Sequence, residues 1–167
     1  MDDYPPPPPN GEVVEYFYEH GVLTGPIKHY YASGRVHYHE RQEDQPSSLS
    51  DGVYPIYDDD ADNTLVTESV IEGGKLVAVR DYGADKLTEE IHYKGDFIDY
   101  ADIYYNSGRV STRIRVTTDN PEDVHNAVAE QLLTIYNVEV TNYYDNASHN
   151  RESSGRLQHG DKVGPWH

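Results

Sequence analysis

The sequence contains no cysteine, only five lysines, two phenylalanines and one tryptophan among its 167 residues. The absence of cysteine excludes disulfide bonds and thiolate zinc sites. No apolar run approaches the roughly 20 residues that a membrane-spanning helix needs. The N-terminal MDDYPPPPP has neither the cationic nor the apolar region of a signal peptide. These absences predict a soluble cytoplasmic protein that has no membrane partner.

The composition is also poor in apolar residues, which make up 36% of the chain, and the mean hydropathy is −0.82. A deep core of the kind found in α/β enzymes is hard to build from so few apolar side chains. The 16 tyrosines suit a thin sheet instead, because a tyrosine ring packs while its hydroxyl stays hydrated.

The formal net charge is −17, from 30 acidic and 13 basic residues. Direct binding to nucleic acid or to an anionic lipid surface would work against this field, whereas a basic protein partner would be attracted by it. Solubility or life in high salt is the alternative explanation of the same charge.

One stretch occurs twice, as HYYASGRVHYHE at 29–40 and as IYYNSGRVSTRI at 103–114. Four further segments share its pattern of an apolar or aromatic residue, two variable residues, Gly, usually Arg or Lys, and Val or Leu. This pattern predicts β-hairpins whose tight turns need a positive φ. Asp85 replaces the glycine in one copy, and the other predicted turn residues are Gly21, Gly34, Gly74, Gly108 and Gly155.

The unit YGADKLTEEIHYKGDFIDYADIYYNSGRV at 82–110 resembles the MORN-repeat variant of bacterial antitoxin-like and immunity-type proteins. The resemblance covers residues 15–40, 68–116 and 138–167. It implies a mainly β fold, an elongated antiparallel sheet of repeated hairpins, and an antitoxin-like or immunity-like binding role. It transfers no catalytic residue.

The sequence departs from a plain hairpin array in three segments. Residues 1–14 are predicted to be a proline-rich arm, ahead of a single domain at 15–167. Residues 41–64, rich in Pro, Ser and Asp, are predicted to be an acidic surface loop.

Residues 120–136 are predicted to be an inserted amphipathic helix, with Asn120 as its N-cap and Pro121 at its first position. Its apolar stripe is expected to pack on the sheet, and it comprises Val124, Val128, Leu132 and Ile135, with Ala127 beside it.

The segment DDDADN at 58–63 has aspartates at the alternating positions of a calcium-binding loop. However, Asn63 stands where such a loop needs Gly, and Ser69 stands where it needs a bidentate Glu. A solvated acidic loop is the better interpretation. His37 and His39 lie on one face of a predicted strand, but a third ligand, such as His29, is not specified by the spacing. We therefore predict no metal and no cofactor.

Nucleophilic catalysis has no motif in this sequence. There is no Gly-x-Ser-x-Gly, no cysteine and no glycine-rich phosphate loop. The prediction is a protein that is not an enzyme.

The charge, the tyrosines and the resemblance together predict an inhibitory binding protein of the antitoxin, immunity or anti-CRISPR type. It would cover a basic nucleic-acid-handling protein, acting as a mimic of nucleic acid without binding nucleic acid itself. Because no repeat requires the loop at 58–62, its charges are expected to be removable without harm to the fold. The expected partner-binding residues are Asp58, Asp59, Asp60, Asp62, Tyr30, Tyr31, Tyr104 and Tyr105. The alternatives are a structural assembly module and a metal-binding or phospholipid-binding MORN domain, which the charge disfavours.

Overall fold

The computed structural model describes residues 11–23, 27–40, 51–118, 124 and 127–167, apart from the side chains of residues 23, 39 and 40. These residues form fourteen strands and one helix. The strands are β1 (Val13–Glu15), β2 (Tyr18–Glu19), β3 (Val22–Leu23), β4 (Ile27–Tyr30), β5 (Val36–Glu40), β6 (Gly52–Tyr57), β7 (Leu65–Glu72), β8 (Lys75–Gly83), β9 (Lys86–Lys94), β10 (Phe97–Tyr104), β11 (Val110–Val116), β12 (Asn137–Tyr143), β13 (Arg151–Gln158) and β14 (Asp161–Val163). Helix α1 spans Ala129–Ile135.

Twelve strands form one antiparallel sheet in the order β1-β4-β5-β6-β7-β8-β9-β10-β11-β12-β13-β14, and β2 pairs with β3 separately. After β4 the strand order follows the chain, as it must when successive strands are joined as hairpins. The predicted fold class, mainly β with one antiparallel sheet and one inserted helix, is confirmed.

The chain divides into two compact units, unit 1 (residues 1–74) and unit 2 (residues 75–167). Each unit contains the same arrangement of four strands, which we call the first frame (β4–β7) and the second frame (β10–β13). In the first two strands of each frame Tyr30 pairs with Val36 and Tyr104 with Val110, and a bulge directly precedes each pair.

The last two strands of the frames also match. Val53 pairs with Val70 in the first frame and Glu139 with Arg156 in the second, and both hairpins have a bulge near their turn. The offset between equivalent residues is 74 for the first hairpin and 86 for the second. The additional residues of the second frame lie in the connection that carries α1.

The main core lies in unit 2, where α1, together with Val124 and Ala127, packs against the sheet. The carboxylate of Glu89 accepts a hydrogen bond from the Ala129 N–H at 2.8 Å, which ties the start of the helix to β9. The buried side chains are Ile91, Ile98, Ala101, Ile114, Val138 and Val140 from the strands, Ala129 and Leu132 from α1, and Val124 and Ala127, which precede it.

Helix α1 is shorter than predicted, and its N-cap is Val128. The predicted N-cap, Asn120, and Pro121 lie outside the described residues. Val124, Ala127 and Leu132 are buried as expected, but Val128 and Ile135 are each 50% exposed. Because Val128 precedes the first helical residue, helical spacing does not align it with Leu132, and Ala129 packs against the core instead.

The predicted loop 41–64 is wrong in part, because it contains strand β6. The misleading residue is Pro55, which lacks an N–H and is disfavoured inside a sheet. In the structure Pro55 pairs with Glu68 of β7, while β6 meets β5 through the single pair Tyr38 and Ile56. Proline is therefore compatible with a strand that has few residue pairs with one of its neighbours. The predicted arm also ends early, since β1 begins at Val13, and residues 1–10 lie outside the described part of the chain.

The predicted positive φ is confirmed at Gly21, Gly34, Gly74 and Gly108, with values of 80°, 88°, 75° and 86°. Asp85 also adopts the left-handed conformation, with φ 61°.

Gly155 is a correction, because it lies inside β13 and not in a turn. A Cβ atom at Gly155 would stand 2.2 Å from the ring of Trp166. The glycine is thus required by the close approach of an aromatic ring.

Candidate binding surface

In each frame the turn of the first hairpin contacts the turn of the second, and we call this contact a turn pair. The first turn of each pair is a tight Ser-Gly-Arg turn. Tyr31 donates its N–H to the Arg35 carbonyl at 2.9 Å, and Tyr105 donates to Arg109 at 2.8 Å. The two turns therefore have the same backbone geometry.

The first turn pair is built by hydrogen bonds to residues 57–63. The Tyr31 hydroxyl donates to the Tyr57 carbonyl at 2.8 Å. The Ser33 hydroxyl donates to the carboxylate of Asp59, and the Arg35 guanidinium forms a 3.0 Å ion pair with the same carboxylate. One aspartate thus links two side chains of the opposite turn.

The second turn pair repeats these contacts. The Tyr105 hydroxyl donates to the Tyr143 carbonyl at 2.8 Å. Ser107 donates to Asp145 at 2.6 Å, and Arg109 forms a 3.1 Å ion pair with it. The repetition indicates a duplicated structural device.

A further contact closes each turn pair through a residue in the left-handed conformation. Asn63 (φ 52°) accepts from the Val36 N–H at 3.0 Å and donates to the Val36 carbonyl at 2.7 Å. His149 (φ 49°) lies at the equivalent position, with Nε2 3.1 Å from the Val110 carbonyl oxygen.

The second half of the duplication is not among the features predicted from the sequence. The signal is the likeness of YDDDADN at 57–63 to YYDNASH at 143–149. It is offset by 86 residues and not by 74, so an alignment on the first hairpins does not reveal it.

The expectation that the loop at 58–62 plays no part in the repeat geometry is therefore wrong. Asp59 belongs to the first turn pair, and the Asp60 carboxylate accepts from the Thr64 N–H at 2.8 Å. Hydrogen bonds lower the pKa of Asp59, with the larger effect from Ser33 and the smaller from Arg35. Bonds from Thr64 lower the pKa of Asp60. Both carboxylates are ionised at neutral pH.

Asp58 and Asp62 are exposed, and within the described part of the chain neither carboxylate takes part in a turn-pair hydrogen bond. The equivalent positions of the second turn pair are occupied by Tyr144 and Ser148, which are also exposed. The two turn pairs thus share the contacts of their Tyr, Ser, Arg and Asp side chains and differ in the side chains that face solvent.

The four predicted partner-binding tyrosines are all partly buried, and each hydroxyl is engaged inside its own unit. Tyr31 and Tyr105 belong to the turn pairs, and the Tyr30 hydroxyl donates to Glu15 at 2.7 Å. The Tyr104 hydroxyl lies 3.4 Å from Glu90. Burial, together with the charges of Glu90 and Asp102, raises the pKa of Tyr104 to about 12. These rings support the sheet more than they offer an aromatic contact surface.

Unit 2 also carries a charged network on the side of the sheet that Glu90 and Asp102 share. These two residues lie opposite each other on β9 and β10. Glu90 contacts Arg80 at 2.5 Å and His92 at 2.6 Å, and Asp102 accepts two bonds of 2.7 Å from Arg113.

The attraction of the two arginines offsets the repulsion between the neighbouring carboxylates. Burial alone would raise the pKa of Glu90, but Arg80 and His92 outweigh it and leave that pKa below its ordinary value. The bonds to Asp102 raise the pKa of Arg113. The positive and negative charges of the network balance each other, and we therefore interpret it as structural.

The described contacts do not support a metal site at His37 and His39. His37 lies 3.0 Å from Glu12 and stacks on Tyr31 at 4.2 Å between ring centres. Among the described residues no group of three potential ligands could hold a metal ion. The side chain of His39 lies outside the described atoms.

No protein-family model matches the chain, and no curated protein matches it. Among solved structures it is similar to the crystal structure of TarM, with a TM-score of 0.48 and 9% identity. A second similar structure is a mutant of S. aureus TarM in complex with Fondaparinux, alpha-GlcNAc-glycerol and UDP, with a TM-score of 0.47 and 8% identity. Each likeness covers 72% of this chain and 22% of TarM, so the chain spans about a fifth of the TarM length. In the part of the chain that the structure describes, no helix is long and apolar enough to cross a membrane.

Proposed function

We propose that this protein is a non-enzymatic binding module that inhibits a basic, nucleic-acid-handling protein. Its acidic surface would occupy the cationic groove in which that partner binds DNA or RNA. The inhibitor would act in the cytoplasm, as an antitoxin, an immunity protein or an anti-CRISPR protein does.

The observation that carries this proposal is the uneven distribution of charge between the units. Residues 1–74 contain 15 acidic and 3 basic residues, whereas residues 75–167 contain 15 acidic and 10 basic residues. Unit 1 therefore has a formal charge of −12 and unit 2 of −5. A field concentrated in one region steers a cationic partner toward that region.

The first turn pair supports the proposal because it fixes the backbone beneath several carboxylates. Asp59 and Asp60 are tied to Ser33, Arg35 and Thr64, so the exposed Asp58 and Asp62 project from a braced loop. A charge pattern fixed in advance loses less conformational entropy on binding than a mobile loop would.

The first test removes the two exposed charges that no turn-pair contact uses, in the variant Asp58→Asn/Asp62→Asn. The probes are a CRISPR nuclease loaded with its guide RNA, a restriction endonuclease and a ribonuclease toxin, each purified. We expect association with the bound probe to slow by about three- to tenfold at low salt and to depend less on ionic strength. Stopped-flow or surface-based kinetics at two salt concentrations provide the measurement.

The matched control is Tyr144→Asn/Ser148→Asn, which changes the equivalent positions without removing charge. It should associate at the wild-type rate. If no probe binds the wild-type protein in competition with DNA or RNA, the inhibitor function is refuted. Binding that does not depend on salt would favour the assembly-module alternative.

A further inference from the structure

The third and fourth strands of the two frames carry different side chains on the same side of the sheet. In the first frame Val53 faces Val70 across the strand pair. The equivalent pair in the second frame is Glu139 and Arg156. Both hairpins have the same register, so each residue of β6 and β7 has one equivalent in β12 and β13.

The Val53–Val70 pair lies on the side of the sheet opposite the buried Ile71. Successive side chains of a strand point to opposite sides, and Ile71 follows Val70 directly and is only 4% exposed. Val53 is 48% exposed, and Pro55, which lies two residues further along the same side, is partly exposed. Directly opposed residues in an antiparallel pair have Cβ atoms about 5 Å apart, so these apolar side chains form one continuous patch.

The second frame shows that the fold does not require this patch. Glu139, Thr141 and Arg156 occupy the positions of Val53, Pro55 and Val70, and Glu139 and Arg156 are exposed. Single exposed apolar residues need no explanation. The exposed Val53 stands beside Val70 and Pro55, which are partly exposed, at positions where the duplicate has a Glu, an Arg and a Thr. This group of apolar side chains indicates a surface that another molecule covers.

Acidic residues border the patch. Glu68 pairs with Pro55 on the same side, and Glu72 lies on that side by alternation and is exposed. An apolar centre with a polar rim is the usual anatomy of a protein interface. Because the rim and the whole of unit 1 are acidic, charge complementarity favours a basic protein as the occupant.

We propose that the β6–β7 surface formed by Val53, Pro55 and Val70 is the docking surface for the basic protein partner. This inference rests on the proposed function and names the surface that performs it. The acidic residues set the rate of encounter, and the apolar patch sets the lifetime of the complex.

The test replaces the patch with the residues of the second frame, in the variant Val53→Glu/Val70→Arg. Net charge is unchanged, and the same register already accepts this pair at Glu139 and Arg156. With the nuclease and toxin probes named above, we expect Kd to weaken about tenfold or more through faster dissociation, with an unchanged association rate. The reciprocal variant Glu139→Val/Arg156→Val is the matched control and should bind as the wild type does.

Hydrogen exchange of the complex locates the contact independently of the variants. Protection of β6 and β7, together with the loss of affinity, supports the proposal. Salt-dependent binding that protects other strands and is unaffected by Val53→Glu/Val70→Arg overturns the docking surface and leaves the inhibitor function standing. If no probe binds, both proposals are refuted. Self-association of the wild type that the variant abolishes in sedimentation identifies a second copy, and not a basic partner, as the occupant.

Discussion

The two frames share their turn contacts but differ in what lies against the sheet. The second frame packs against helix α1 and lies over a core of ten buried apolar residues. In the described part of unit 1 the only apolar side chains classed as buried are Ile27 and Ile71. The tyrosine, serine and arginine contacts of the turn pair are nevertheless made in both units, and only the closing residue differs, Asn63 in the first and His149 in the second. The device therefore does not depend on a deep core.

Two sources of stability contribute in different proportions to the two units. Burial of apolar area contributes about 25 cal/mol per Å², and most of it falls in unit 2. A hydrogen bond contributes about 1 kcal/mol net, so the turn contacts form a larger share of what holds unit 1. The units should respond differently to the loss of a core side chain and alike to damage in a turn.

The largest expected effect is the loss of a core side chain from unit 2. Leu132→Ala removes a fully buried side chain between α1 and the sheet, and it should lower the free energy of unfolding by about 2–5 kcal/mol. Ile71→Ala in unit 1 should cost less, because fewer buried side chains surround the cavity and the site collapses more readily. Urea unfolding with hydrogen exchange resolves the two units. Equal losses would show that unit 1 has a core as well packed as that of unit 2.

The next effect should be equal in the two frames. Gly34 and Gly108 have φ of 88° and 86°, which a β-branched residue adopts only under strain. Gly34→Val and Gly108→Val should each cost about 1–3 kcal/mol. Thermal unfolding provides the measurement. Unchanged melting temperatures in both variants would contradict the positive φ of these two glycines.

The smallest effect concerns the aspartates that join the turns. Hydrogen bonds from Ser107 and Arg109 lower the pKa of Asp145, as Ser33 and Arg35 lower that of Asp59. A lowered folded-state pKa means that the stabilisation is present above the unfolded pKa, about 3.9, and is lost as the pH falls through the folded pKa. Asp59→Asn and Asp145→Asn should therefore lower the melting temperature at pH 7, and this loss should shrink steadily as the pH falls below about 4. A loss that is independent of pH would exclude the carboxylate charge as its cause.

The sequence predicts the hairpins and their turns better than it predicts the contacts between the turns. The hairpins and the positive φ of Gly34 and Gly108 follow from local rules, since a tight turn restricts which residues it accepts. The role of Asp59 does not follow, because its partner Arg35 lies 24 residues away and the intervening connection differs in length between the frames. Gly155 fits the turn pattern in sequence but lies inside a strand. The glycine is needed there because the ring of Trp166 packs against it.

Helix α1 shows a different limit of sequence reasoning. The spacing of Val124, Val128, Leu132 and Ile135 fits a helix of about three turns, yet α1 begins at Ala129. Apolar periodicity indicates which residues tend to be buried, and it does not mark where the backbone becomes helical. Tertiary contacts, such as the bond from Ala129 to Glu89, decide that boundary.

The span of the turn pairs has a consequence for the order of events in folding. Their hydrogen bonds join residues 24 to 39 positions apart, whereas each hairpin closes over only a few residues. A hairpin forms in microseconds, and a turn pair has both of its halves in place only after two hairpins exist. We therefore expect the turn pair to form late, with its contacts largely absent from the folding transition state. Interactions of that kind slow unfolding more than they speed folding, so the duplicated contact prolongs the lifetime of each folded frame.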